Sequence, residues 1–200
     1  MMVSRRSFFA AGGGVAAAAL LHPLRSIAAP SGLSPDLLKR ALDALDRHRG
    51  AIADRNTLAI ADFSQPSRAP RFHVVDIANG RVSSHLVAHG RGSDPAHTGW
   101  LQRFSNVPQS HATSEGAYRT DGLYAGKHGR SIRLTGLDAS NSNALSRAIV
   151  VHAAWYVSPD MARAHGVLGR SEGCFALSQA STAEVLQRIG SGCLIYADKV

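Results

Sequence analysis

Asn79-Gly80 separates two short runs rich in β-branched and aromatic residues, Phe72–Ile77 and Arg81–Ala88. An Asn-Gly pair accepts positive φ at both positions, which a tight hairpin turn demands, so the two runs are expected to fold back on each other as antiparallel strands. A third run, Thr57–Phe63, precedes them. Ile132-Arg133-Leu134, Ala148–Val151 and Cys193–Ala197 follow as further strand candidates. Helix signals frame this β-rich stretch. Ser34-Pro35-Asp36 predicts a helix start, with Ser34 as N-cap and Pro35 at the first helical position. Leu38, Ala41, Leu42 and Leu45 then recur on one face before Gly50. Ser181 and Glu184 read as a capping box ahead of Val185, Leu186 and Ile189, with Gly190 ending the helix. The expected class is mainly β with a few helices, an α+β domain. Gly90–Ser131 has no sustained period, and a loop that long inside a compact domain is usually functional.

Residues 1–29 read as a segment apart from the fold. Ser4-Arg5-Arg6-Ser7-Phe8-Phe9 is a twin-arginine pattern, Ala10–Leu21 is an apolar small-residue stretch, and Ser26–Ala29 offers A-x-A-like cleavage. The apolar run is shorter than the about 20 residues of a membrane span and meets His22-Pro23, so a cleaved signal peptide is expected over an anchor. That reading places the protein in the periplasm or cell envelope, with the membrane met only during export by the twin-arginine route. Residues 30–55 are then an N-terminal helical segment and residues 56–200 the main domain. The net charge of +8 favours polyanions such as nucleic acid, lipid headgroups or acidic wall polymers, although Arg5, Arg6 and Arg25 lie in the segment expected to be removed. No stripe of Lys/Arg interleaved with aromatics is present, so nucleic acid is not an expected partner. Oligomeric state is unknown from the sequence.

Reactive side chains concentrate in Ile149–Leu177. His152 ends an apolar strand, where its ring can face a cleft. Cys174 follows Ser171-Glu172-Gly173, a turn-forming stretch, whereas the other cysteine, Cys193, opens an apolar run. One thiol reads as presented and one as buried, although two cysteines in an exported protein also allow a disulfide. A thiol needs a neighbouring base to attack a carbonyl, and imidazole is the usual partner. Gly173 permits a tight turn that leaves backbone N–H groups free to hold an oxyanion. Metal and cofactor signals are absent. His85 and His89 are four apart but lie in a strand and its loop, without HExxH or a Cys/His cluster. These two, with His97 and His111, read as structural or exposed. Trp100, Trp155 and Tyr156 read as core or cleft packing, and Tyr118 and Tyr124 as groove-lining.

Several blocks in order resemble a known family. They are Ile60–Ser64, Val87–Gly90, Phe104–Pro108, Gly126–Leu137, Ile149–His152, Tyr156–Ser158 and His165-Gly166 through Ser171-x-Gly173-Cys174. The pattern is similar to the murein L,D-transpeptidase catalytic domain family, the YkuD-like L,D-transpeptidases. The resemblance implies a β-sandwich catalytic domain acting on peptidoglycan stem peptides, with Cys174 as nucleophile and His152 as base. It also implies that the Ala153 carbonyl orients His152, that the Gly173 and Cys174 N–H groups form the oxyanion hole, and that Ser171 and Arg170 shape the substrate side. His128 and His165 fall in matching blocks and are expected to line the cleft wall with Glu172 and Tyr118. The implied reaction is cysteine acyl transfer from the diaminopimelate–D-Ala bond of a tetrapeptide stem to an amine, cross-linking the third residues of two stems. Transfer to water, an L,D-carboxypeptidase outcome, is the alternative. Glu172 stands where the widely shared motif has His, and Ala176 where it has Arg or Asn; these departures bear on substrate anchoring and admit a non-catalytic wall-binding reading. A papain-like hydrolase is disfavoured by chain order, because His152 precedes Cys174.

Overall fold

The computed structural model describes residues 32–200, and the twin-arginine segment lies outside them. The order of elements is α1 (Pro35–Arg47), β1 (Thr57–Asp62), β2 (Pro70–Asp76), β3 (Arg81–Ala88), β4 (Gly116–Gly126), β5 (Gly129–Gly136), β6 (Val150–Ala153), α2 (Pro159–His165), β7 (Phe175–Leu177), α3 (Gln179–Arg188) and β8 (Leu194–Asp198). The mainly β expectation holds, but the sheet is a closed barrel rather than a sandwich, in the order β1-β2-β3-β7-β6-β5-β4-β8. The C-terminal strand is the reason. β8 pairs with β1 in parallel and with β4 antiparallel, so it consumes both open edges.

Closure puts both faces of several strands out of water. In β1, Ala59 and Ala61 point into the barrel, while Leu58 and Ile60 point outward under α1. Helix α1 starts as its cap predicts, with Ser34 Oγ accepting the Leu37 N–H, and buries Leu37, Leu38, Ala41, Ala44 and Leu45. Each buried leucine contributes about 1.5–3 kcal/mol. Small alanines on the inner face leave room for aromatics. Phe175 meets Phe63, Phe72 and Tyr118 at ring-centroid distances of 6.2, 6.4 and 5.4 Å. The residue after Cys174 is thus the hub of the core.

Three local expectations need correction. Asn79-Gly80 lies in a four-residue turn between Asp76 and Arg81, which are register partners. Only Gly80 takes positive φ, at 65°, because the Asp76 carboxylate captures the Asn79 N–H at 3.0 Å. Helix α3 is capped by Ser178, whose Oγ accepts the Ser181 N–H at 3.1 Å, so Ser181 lies inside the helix. Part of the stretch read as loop, Gly90–Ser131, is strand β4, whose outer half is exposed and therefore lacks an apolar pattern. A bulge between Thr120 and Leu123 bends the β4–β5 hairpin. Asp121 pins it, accepting from Arg119 Nε at 2.9 Å and Thr135 Oγ1 at 2.6 Å.

Candidate active site

Strands β6 and β7 run parallel, with Val151 opposite Phe175 and His152 opposite Ala176. Val151 and Phe175 enter the barrel core, so alternation turns His152, Ala176 and Cys174 to the other face. There Cys174 and His152 line one cleft of about 510 Å³, together with His128, Tyr124, Lys127, Arg147, Tyr156 and the Arg170–Glu172 segment.

The turn that presents Cys174 is tightly held. Gly173 has φ +119°, and a Cβ there would lie 2.8 Å from the Ala112 carbonyl oxygen and 2.9 Å from Ile149. Gly90 is equally constrained, since its Cβ would meet the Gly173 Cα at 2.7 Å. Ser171 ties the turn from within. Its Oγ donates to the Cys174 carbonyl at 2.7 Å and accepts the Gly173 N–H at 3.2 Å. Its backbone bonds to His89 and Arg91 on the far side, at 2.9 and 2.7 Å. The Gly173 N–H, expected as an oxyanion donor, is here engaged by the Ser171 hydroxyl. What Gly173 supplies is the left-handed conformation.

Behind the turn lies a buried polar network that sequence reading missed. Arg71 is fully buried over the Phe63 ring, 4.9 Å from its centroid, and donates to the Val87 and Gln65 carbonyls. Burial pulls its guanidinium down to about 9, opposed by Asp62 and Asp94, so it remains charged at neutral pH. Arg71 also donates to His89 Nδ1 at 2.7 Å, which leaves the His89 proton on Nε2, 3.5 Å from Asp94. Burial and Arg71 push His89 down to about 3, hence neutral. Residues 71, 89 and 94 carry no shared motif, and only the barrel brings them together.

Electrostatics favour a neutral resting pair. Burial pushes the Cys174 thiol up, opposed by the Val150 N–H directed at the sulfur and by the Arg147 and Lys127 cations. The thiol donates to the Ala148 carbonyl at 3.5 Å. Burial also lowers His152, although the Ala153 carbonyl, 2.9 Å from Nδ1, pulls the other way. A carbonyl accepts only, so Nδ1 carries the proton and Nε2 is a free acceptor. The pair is thiol plus neutral imidazole, both lining one cleft.

The other expected residues divide. Arg170 lines the cleft but donates to the Asp94 and Pro95 carbonyls, bracing the turn. Glu172 holds Arg91 Nε at 2.8 and 3.0 Å and pairs with His111, at the mouth between this cleft and a second groove of about 500 Å³. His128 stacks on His152. Tyr118 does not line the groove: it is wholly buried, its hydroxyl donating to the Ser114 carbonyl at 2.8 Å, because the parity of β4 turns it into the barrel. His165 is also displaced from the cleft, lying exposed in the last turn of α2. Tyr124, read as groove-lining alongside Tyr118, does line the cleft. Trp155, read as packed, is 84% exposed. Arg147 was not singled out by sequence; it binds the Ser105 and Ala112 carbonyls and the Ser110 and Ser114 hydroxyls, clamping the loop against Gly173. Among the described residues no group of three or more His, Cys, Asp or Glu could hold a metal ion. Both cysteines are free thiols.

The chain has known relatives. The family profile described as L,D-transpeptidase catalytic domain matches residues 29–197, and the chain belongs to that family. Among curated proteins no sequence matches. Solved structures similar to this chain include an L,D-transpeptidase from Mycobacterium smegmatis, at 16% identity and TM-score 0.45, covering 72% of this chain and 58% of that one. L,D-transpeptidase 3 from Mycobacterium tuberculosis matches at 15% identity and TM-score 0.46, covering 72% of this chain and 61% of its own. An L,D-transpeptidase from Xylanimonas cellulosilytica matches at 13% identity and TM-score 0.41, covering 73% and 62%. The chain thus spans less than two thirds of each of these proteins.

Proposed function

We propose that the protein is a peptidoglycan L,D-transpeptidase of the cell envelope, exported by the twin-arginine route, in which Cys174 is the nucleophile and His152 the general base. The observation that carries this reading is the 2.9 Å contact between His152 Nδ1 and the Ala153 carbonyl, which leaves Nε2 bare in the cleft that Cys174 lines. Family membership supports the substrate class. His152 Nε2 takes the thiol proton as sulfur attacks the carbonyl of the diaminopimelate–D-Ala bond. The tetrahedral oxyanion falls to the Cys174 N–H, since the Gly173 N–H is bonded to Ser171. Collapse breaks the C–N bond, and the proton on His152 passes to the departing D-Ala amine. An amine of a second stem then gives its proton to His152 and attacks the thioester, and the Cys174 sulfur leaves with that proton from His152 as the cross-link forms.

The test is product analysis after incubation with a muropeptide carrying tetrapeptide stems. Cross-linked dimers with D-Ala release support transfer, tripeptide stems alone indicate the carboxypeptidase outcome, and C174A loses both. Binding to sacculi without any product contradicts the enzymatic reading.

A further inference from the structure

The β4–β5 hairpin is longer than barrel closure needs. Beyond the bulge at Thr120–Leu123 its strands are exposed, and it ends in Lys127-His128 between the register partners Gly126 and Gly129. A bulge bends a strand, and Asp121 fixes this bend through Arg119 and Thr135. The bent tip comes down on β6. There the His128 ring lies on the His152 ring, with centroids 4.2 Å apart and planes 24° from parallel. His128 has no hydrogen-bond partner among the described residues and is itself exposed, so the stack is its main contact. Ala153 restrains His152 at one ring nitrogen only, and a ring held by one hydrogen bond can still rock about it. A second ring against its face removes that freedom.

We propose that His128 is a positioning residue for the base: the hairpin tip lays one imidazole on another so that Nε2 stays aimed into the Cys174 cleft. The proposal rests on the reading of His152 as general base. Charged groups lining the two cavities that His128 borders are Lys127, Arg130, Arg147, Arg170 and Glu172. Burial, and then Lys127, keep His128 below the ordinary imidazole value, and a neutral ring stacks on a neutral base without repulsion. The His128 charge would lower His152 further, so the stack and its neutrality act together.

The experiment follows the His152 ring nitrogens by NMR titration in the wild-type protein, H128A and H128F, with thermal unfolding to confirm that each variant folds. Loss of the ring in H128A is expected to raise the His152 pKa, because it admits water to a ring that burial holds down, and to mix its tautomers. H128F keeps an aromatic face and is expected to retain the Nδ1–H tautomer. On a stem-peptide substrate, H128A is expected to lower kcat about tenfold with KM unchanged. An unchanged His152 titration and tautomer in H128A would overturn the proposal, as would a rise in KM alone, which marks a substrate contact. If wild-type protein turns over no muropeptide while H128A still shifts the titration, the proposed function fails and the positioning role stands.

Discussion

Cys174 and Cys193 are the same residue in the same barrel, and burial pushes both thiols up. Their neighbours separate them. Cys193 lies wholly buried beside Asp54, to which its thiol donates at 3.3 Å, and the carboxylate helps drive it up to about 12. Cys174 has a backbone N–H directed at its sulfur, the Arg147 and Lys127 cations nearby, and the bare nitrogen of His152 in its cleft. Burial by itself makes a thiol inert; reactivity comes from donors and a base arranged around the same burial. The contrast also explains why the two need separate anchors. Cys193 is held by the Thr120 hydroxyl at its N–H, a packing role, whereas Cys174 sits on a turn fixed by Gly173, Ser171 and the Arg71–His89–Asp94 network.

The contrast breaks most visibly on exchange of the cysteines. C174A is expected to abolish product formation, while C193A keeps turnover and loses about 1 kcal/mol in denaturant unfolding. Next comes the base. H152Q is expected to lower kcat by about 100- to 10,000-fold with the protein still folded, measured as D-Ala release. In the wild type, kcat/KM is expected to fall on the acid side only below pH 6.5, because the base works when neutral and burial has lowered His152 from that value. Iodoacetamide labelling isolates the thiol. Cys174 is expected to label with a midpoint above the ordinary 9.0, and an ion-pair midpoint well below it would refute the neutral pair. R147Q removes a cation and is expected to slow labelling at neutral pH about tenfold. The smallest effect belongs to E172Q, which removes an exposed anion that raises Cys174 and is expected to speed labelling about twofold.

How far the sequence reveals this depends on whether the cause is local. Ser34 and Pro35 start α1 as read, because a cap needs only its own first turn. The Gly173-Cys174 turn and the terminal position of His152 on its strand are also local and legible. Ser158-Pro159-Asp160 repeats the signature of Ser34-Pro35-Asp36 and starts α2, yet α2 escaped because its seven residues bury none of their side chains. Tyr118 was misplaced for a different reason. Its face is set by the register of β4 against β8, and nothing near position 118 states that register. Arg71 lies just before the run read as a strand and carries no local signal, and only closure of the barrel beside His89 and Asp94 makes it a buried support. The fold's edges were illegible in the same way, since β8 closes the barrel through partners far away in sequence.

The most direct test of the central claim is intact mass spectrometry of the protein mixed with a tetrapeptide-stem muropeptide and quenched before turnover is complete. The account predicts a mass increase equal to the stem less D-alanine, mapped to Cys174 by peptide digestion and absent from C174A. An adduct on another residue, or D-alanine release that persists in C174A, would contradict it.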